Sequence, residues 1–349
     1  MIDSFIPDFD FVRVFVEPWR DHGRHFIWIA LMGFLITTAC GLVGNYLILR
    51  RMALVGDAIS HSVLPGLAVG FIVLNIWAGG SSHDGEIQSL SHHPVHTWKP
   101  LAMFLGALGA GALTTLLIEL IHKKTRVKQD SAIGIVFSTL FALGVILICL
   151  FADKVDLDQE CVLYGEIAFV PLKPFTTWFG VSIAPPDVIR MAGITLLTIL
   201  LISLFYKELL VSSFDPALAA SMGINATVVH YGLMAILSLV VVSAFESAGA
   251  ILVVAMLILP GATASLLSQR LPTMMCFSMV QAAITSILGI HLAVWLRCSI
   301  AAAMVVVGAL LFLLAWIFNS QAGLLQRLKP HTRDQTSPRP EIQQLAQQT

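Results

Sequence analysis

The sequence predicts an all-α membrane protein that crosses the bilayer with eight to nine transmembrane helices. Hydrophobic residues make up 57% of its 349 residues, charged residues only 12%, and the mean hydropathy is +0.85. Soluble domains carry about 25% charged residues, so this composition favours a polytopic membrane protein. The net charge of −1 comes without a large basic block, which argues against a nucleic-acid partner.

Apolar runs long enough to span a bilayer follow one another along most of the chain. They lie at about 26–49, 53–77, 100–121, 131–152, 187–206, 226–245, 248–267, 272–295 and 298–318. Because tight turns separate several of these runs, both eight and nine spans are compatible with the pattern. Residues 26–318 therefore form the predicted transmembrane domain.

The two flanking segments differ from this domain in composition. Residues 1–25 alternate aromatic with charged side chains, which is typical of an amphipathic segment lying on the membrane surface. A disordered N-terminal tail is the alternative. Residues 319–349 are polar and rich in glutamine, and we expect a disordered tail there.

Positively charged loops orient the predicted spans, because lysine and arginine concentrate in cytoplasmic loops. If the spans alternate, one side collects Arg50, Arg51, the basic run 122–128, Lys207 and Arg270. That side is the predicted cytoplasmic side, and the C-terminus lies there. The N-terminus then lies outside, although three arginines before residue 25 argue against that placement.

The stretch Gly56–Gly66 places polar chemistry inside an apolar run. Asp57 and His61 are four residues apart, so a helix brings both to one face, roughly 6 Å apart along its axis. A carboxylate and an imidazole in a membrane segment are costly and mark a functional site. Pro65 and Gly66 follow, and the proline is expected to kink the helix. We predict a metal-binding pair, Asp57 and His61.

The loop between the second and third spans is unusually rich in histidine. It contains His83, His92, His93 and His96, together with Asp84 and Glu86, and the predicted orientation places it outside. Such a tract can collect divalent metal before it enters the membrane. A polar external loop without any metal role explains the same residues equally well.

A short helix with both ends written into the sequence occupies a predicted cytoplasmic loop near 214–224. Asp215 is a good N-cap, Pro216 suits the first helical position, and Gly223 suits the position after the C-cap. With Phe214 and Ala219, this segment has the form needed to insert into a groove on a cytoplasmic partner. An ordinary linker is the alternative.

The seventh apolar run has small residues that allow close packing between helices, Gly261 among them, and Pro260 is expected to break its hydrogen-bond ladder. Single polar residues in other spans fit structural roles. Glu119 is expected to extend towards solvent at a span end, and Glu246 to be solvated at an outer turn. His230 and His291 are expected to be structural histidines with satisfied hydrogen bonds.

Three separated motifs together resemble the permease subunits of bacterial metal-ion importers of the ABC type, which transport zinc, manganese or ferrous iron and receive it from cluster A-I metal-binding proteins. They are Gly56–Gly66, Phe214–Ile224 and Ala250–Ala264, and two weaker signatures lie at Asp130–Phe137 and Leu163–Gly165. The resemblance covers about residues 26–318. The histidine-rich loop is not part of the family pattern.

This resemblance implies the permease fold of metal-type ABC importers in a bacterial inner membrane. It implies a second permease copy or a paralogue, a cytoplasmic ATPase dimer and an extracytoplasmic metal-binding protein. It makes Asp57 and His61 the pathway ligands and 214–224 the coupling helix. The transported Zn²⁺, Mn²⁺ or Fe²⁺ is cargo, and no permanently bound cofactor is expected. The chain lacks a phosphate-binding loop of the G-x-x-x-x-G-K-[ST] type, so a separate subunit is expected to hydrolyse ATP.

Two other classes of protein compete with this hypothesis. An ion-coupled secondary carrier for metals would show inverted repeats, which we do not detect. An intramembrane aspartyl protease would need a second aspartate in an apolar span to pair with Asp57, and the other aspartates fall in loops or at span ends. The external histidines favour zinc slightly, but the ligand types suit all three metals.

Overall fold

The computed structural model describes residues 10–77, 95–151, 167–178 and 181–319. Ten α-helices lie in these ranges: α1 Glu17–Leu49, α2 Leu54–Trp77, α3 Val95–Lys124, α4 Gln129–Phe151, α5 Pro186–Leu204, α6 Tyr206–Phe214, α7 Pro216–Ser221, α8 Ala226–Leu267, α9 Leu271–Leu296 and α10 Ile300–Phe318. A π-helical turn, Val12–Val16, precedes α1, and a 3₁₀ segment, Ile167–Leu172, follows α4. Strands β1 Thr176–Trp178 and β2 Val181–Ala184 form a small antiparallel ribbon.

The predicted spans correspond closely to these helices. Seven helical stretches in the described ranges are long and apolar enough to cross a membrane, and Leu54–Gly70 and Leu252–Leu267 are shorter apolar helices. The predicted runs 226–245 and 248–267 join in α8, which departs from helical dihedral angles at Gly249 (φ 74°, ψ 167°). The all-α polytopic architecture is therefore confirmed.

Both helices continue through Pro65, where a kink is expected, and through Pro260, where a break in the hydrogen-bond ladder is expected. Residues around Pro65 remain helical in α2, and the non-helical residue in α8 is Gly249 rather than Pro260. A proline removes one backbone donor, whereas a positive φ redirects the chain, and glycine adopts it without steric cost. The main break in α8 therefore lies at the glycine.

The buried core surrounds α1, which packs against α8, α9 and α5, while α2 packs mainly against α3 and α4. Met32, Ile36 and Tyr46 of α1 are completely buried, and so are Leu252 and Met256 of α8. Helices of a membrane protein gain little from burying apolar surface away from lipid, so close van der Waals contact between small residues matters more.

Glycines mark the closest approaches between helices. A side chain on Gly66 of α2 would meet the Gly106 carbonyl oxygen of α3 at 2.6 Å, and one on Gly261 of α8 would meet Ile48 of α1 at 2.7 Å. A Cβ atom added to Gly144 of α4 would likewise lie 2.7 Å from the Cδ atom of Pro65 in α2. The small residues predicted at 66 and 261 thus stand at contacts between helices.

Replacing Gly44 with alanine is expected to destabilise the protein by about 1–3 kcal/mol, because overpacking forces backbones apart. The added Cβ atom would collide with the Leu257 carbonyl oxygen, which is backbone and cannot rotate away. The free energy of unfolding in mixed detergent measures the effect. Gly134→Ala in α4 is the matched control, because nothing lies within 4 Å of its Cβ position. Equal stability of both variants would contradict the close α1–α8 contact.

The N-terminal segment is attached to the helical body through His291 of α9. The His291 Nδ1 atom lies 2.9 Å from the Val14 carbonyl oxygen, and Trp19 Nε1 donates to His291 Nε2 at 3.3 Å. Phe15 stacks on the same ring, with centroids 4.5 Å apart. His291 is 7% exposed, and its hydrogen bonds confirm the structural role expected for it.

Candidate functional site

Asp57 and His61 share one face of α2 within its first eight residues. The His61 Nε2 atom lies 3.4 Å from Asp57 Oδ1, and the two side chains keep 25% and 39% of their surface accessible. The helical spacing of four residues accounts for this geometry. The pair is therefore near enough to share one cation, and neither side chain is sealed inside the helical body.

Two aromatic rings of α4 form a wall beside the imidazole. The His61 ring meets Phe137 and Phe141 edge to face, with centroids 4.9 Å and 5.6 Å away. These rings restrict the rotation of the imidazole and keep water from one of its sides. Phenyl rings have no lone pairs to coordinate a metal. The ligands at this site therefore come from α2 and not from α4.

The serines beside the pair are already satisfied within α2. Ser60 Oγ donates to the Gly56 carbonyl oxygen at 3.0 Å, and Ser62 Oγ donates to the Ile59 carbonyl oxygen at 2.8 Å. Both serines are buried. Because both hydroxyls are buried, the accessible coordinating groups of residues 56–66 are one carboxylate and one imidazole.

The described part of a single chain provides too few ligands for a closed metal site. No group of three or more His, Cys, Asp or Glu side chains suitable for a metal occurs among the described residues. Zinc sites in proteins take four ligands, and catalytic ones keep three protein ligands plus a water. Two ligands from one chain suit transient binding, or half of a site that a second chain completes.

The external histidines lie largely outside the described residues. His83, His92 and His93 fall in 78–94, for which the structure describes nothing. His96 belongs to the first turn of α3, but its side chain is not described. The predicted collecting loop stays a prediction.

The short segment that the sequence predicts to be cytoplasmic forms the helix expected from its end signals, here α7. Asp215 Oδ1 accepts from the amides of Ala217 and Leu218 at 2.9 and 3.0 Å. At the other end Gly223 has φ +80°, and the Ile224 amide donates to the Ala219 carbonyl oxygen at 2.9 Å. These bonds form a glycine-based C-terminal cap. Ala219 is completely buried and holds the helix against the rest of the protein.

The outer face of this segment presents three large apolar side chains to solvent. Phe214, Leu218 and Met222 are 61%, 51% and 62% exposed. We name these three residues the docking face. Leu218 and Met222, one helical turn apart, were not among the residues singled out from the sequence, although their spacing was readable. Exposed large apolar side chains that cluster in one short segment are typical of a protein-binding surface.

A second charged cluster lies where α5 begins. Lys173 Nζ pairs with Asp187 Oδ2 at 2.7 Å, and Arg190 Nη1 pairs with Glu246 Oε2 at 2.7 Å. The Asp187 side chain is 7% exposed. Glu246 keeps 44% of its side chain accessible, as the expected solvated position requires, yet it also has a cationic partner. The sequence offered no signal for these pairs, because their members are far apart along the chain.

Comparison with known proteins gives a consistent set of relatives. The profile described as the ABC 3 transport family matches residues 24–319. The chain is 41% identical over 300 residues to the manganese transport system membrane protein MntD of Bacillus subtilis (strain 168), covering 86% of this chain and 94% of MntD. It is 38% identical over 299 residues to the zinc transport system membrane protein TroD of Treponema pallidum (strain Nichols), covering 86% and 75%.

A solved structure has the same fold. The complex described as PsaBC from Streptococcus pneumoniae in complex with Fab contains a chain that superposes with a TM-score of 0.68. The two sequences are 32% identical, and the match covers 94% of this chain and 99% of that one. The likeness therefore extends over nearly the whole of both chains.

Proposed function

The chain belongs to the ABC 3 transport family, and we propose that the divalent metal it transports passes between Asp57 and His61. It is a membrane-embedded permease of metal-ion importers, of the kind that carry manganese, zinc or iron. The observation that supports the ligand role is the adjacent carboxylate and imidazole, 3.4 Å apart and both accessible. A cation that loses water on entering the membrane needs such replacement ligands, and mixed oxygen and nitrogen ligands suit Zn²⁺, Mn²⁺ and Fe²⁺.

A second permease copy or a paralogue completes the pathway in this proposal. Asp57 and His61 keep much of their surface accessible in the single chain. Nearby α4 exposes Ile135, Phe141 and Ile146, which are 50%, 37% and 55% accessible. If two such faces meet, two carboxylates and two imidazoles surround one cation. Four ligands are enough to replace its water, while their separation between two chains allows release.

Two further partners are proposed, one that hydrolyses ATP and one that delivers the metal. A cytoplasmic ATPase dimer binds the docking face, and an extracytoplasmic metal-binding protein delivers the cation from the other side. The assembly lies in a bacterial inner membrane and contacts its lipids through the apolar outer faces of the helices. The exposed apolar residues of α7 support the ATPase contact, because a solvated loop without a partner gains nothing from them.

Uptake is expected to depend on ATP hydrolysis by the partner subunit. Proteoliposomes that contain the permease with its ATPase should accumulate radiolabelled Mn²⁺ or Zn²⁺ only when ATP and the metal-binding protein are present. Permease alone, with an imposed proton gradient, should accumulate neither. Gradient-driven uptake without the ATPase would instead identify an ion-coupled carrier. Competition between the two labelled ions, and with Fe²⁺, identifies the metal.

A further inference from the structure

The guanidinium of Arg50 joins the end of α1 to the end of α6. Its Nη2 atom donates to Ser212 Oγ at 2.8 Å and its Nε atom donates to Ser213 Oγ at 3.0 Å. Both serines give their own protons to the Leu209 carbonyl oxygen, at 3.3 and 2.6 Å. Their oxygens therefore have lone pairs available for the guanidinium. No basic residue of α6 itself lies in its last turn, so Arg50 supplies the cation favoured there.

The same guanidinium begins a series of hydrogen bonds that links side chains of α8 and α3. Its Nη1 atom lies 3.2 Å from His230 Nδ1. Because a guanidinium can only donate, Nδ1 accepts, and the neutral imidazole carries its proton on Nε2. That proton is donated to Glu119 Oε2 at 2.9 Å. His230 thus has the structural role expected for it, with both ring nitrogens bonded.

Glu119 of α3 is the last acceptor in this series of hydrogen bonds. Its Oε1 atom accepts from Lys123 Nζ at 2.6 Å, and its side chain is 15% exposed. The expectation that Glu119 extends to solvent is wrong, because His230 and Lys123 bind both of its oxygens. The result is a continuous set of hydrogen bonds across four helices: α6, α1, α8 and α3.

This set of bonds connects the docking segment to the helix that holds the metal pair. At one end, α6 stops at Phe214, directly before the Asp215 cap of α7. At the other end, Arg50 caps α1 at the turn that leads into α2, where Arg51 has φ 57° and the Met52 amide donates to the Leu47 carbonyl oxygen at 2.8 Å. Asp57 lies in the first turn of α2.

We propose that Arg50 is a positioning residue that transmits movement of the docking segment to the start of α2. This inference rests on the proposed function, since it requires an ATPase to move α7. Three directional donors fixed on one planar group bind Ser212, Ser213 and His230 simultaneously, so α6 and the α1–α2 turn move as one piece. A lysine ammonium keeps the charge, but its shorter and more flexible side chain cannot make these three hydrogen bonds at once.

Arg50→Lys should therefore separate ATP hydrolysis from transport. In proteoliposomes with the ATPase and the metal-binding protein, radiolabelled Mn²⁺ and Zn²⁺ accumulated per ATP hydrolysed should fall about tenfold, in the range of typical couplings between sites. The ATPase should still copurify with the variant. Arg51→Lys is the matched control, because Arg51 is the next residue, exposed and also cationic. It should keep the wild-type ratio.

A second variant keeps the test decisive if Arg50→Lys fails to fold. Ser212→Ala combined with Ser213→Ala removes the acceptors on α6 and should lower the same ratio. Combining these two changes with Arg50→Lys should lower the metal accumulated per ATP only slightly further, because all three substitutions remove the same set of hydrogen bonds. A wild-type ratio in either variant, or fully additive losses, overturns the role of Arg50. Failure of the wild-type permease to bind any ATPase would instead overturn the proposed function itself.

Discussion

Replacing Asp57 with alanine is expected to abolish metal uptake while the protein still reaches the membrane. The carboxylate is one of two accessible coordinating groups in residues 56–66, and it lies 3.4 Å from the second one. Changes in residues that merely orient metal ligands already cost about 10–100-fold in affinity or activity. Loss of a ligand should exceed that, so uptake of radiolabelled Mn²⁺ and Zn²⁺ should fall below about one hundredth of wild type.

His61→Ala should have the same outcome, since neither ligand alone holds a dehydrated cation. Ser62→Ala on the same helix is the control, because its buried hydroxyl donates to the Ile59 carbonyl oxygen of α2 itself. Membrane abundance and copurification with the ATPase should be unchanged in all three variants. Normal uptake by either ligand variant would refute the assignment of the pathway to this pair.

Local signals in the sequence were sufficient for the helices and for α7. Span-length apolar runs predict helices because every backbone polar group in a bilayer must be satisfied within its own segment. Asp215 and Gly223 predicted both ends of α7, since capping depends on neighbouring residues alone. The i, i+4 spacing likewise placed Asp57 beside His61.

Contacts between distant residues could not be predicted in this way. Arg50 was useful only as a topology signal in the sequence, because its partners Ser212 and His230 lie more than 160 positions away. The break in α8 lies beside the predicted boundary between the runs 226–245 and 248–267, but its geometry was not predictable. Pro260 is an obvious helix breaker, but the positive φ of Gly249 depends on how the two halves of α8 pack. Tertiary packing, and not local propensity, selects between such residues.

Replacing Leu218 with aspartate is expected to prevent binding of the ATPase and thereby all ATP-driven uptake. Leu218 is 51% exposed, so the change should leave the permease fold intact. Phe214 and Met222 lie on either side of it along the chain and are also exposed, so Leu218 is the middle residue of the docking face in sequence order. Central apolar anchors of protein interfaces commonly contribute 2 kcal/mol or more, equivalent to about 30-fold in affinity. A charge at this position adds a desolvation cost.

The position of α7 allows a closely matched control for this effect. Ala220 is exposed on the same short helix, but its side chain points away from Leu218 by helical geometry. Ala220→Asp therefore introduces the same charge without entering the docking face, and it should retain the ATPase. The measurement is the amount of ATPase that copurifies with each variant from solubilised membranes. If Leu218→Asp binds the ATPase as well as Ala220→Asp does, the docking face is not the ATPase-binding surface. Loss of binding in Leu218→Asp alone would show that the ATPase attaches to the permease through this helix.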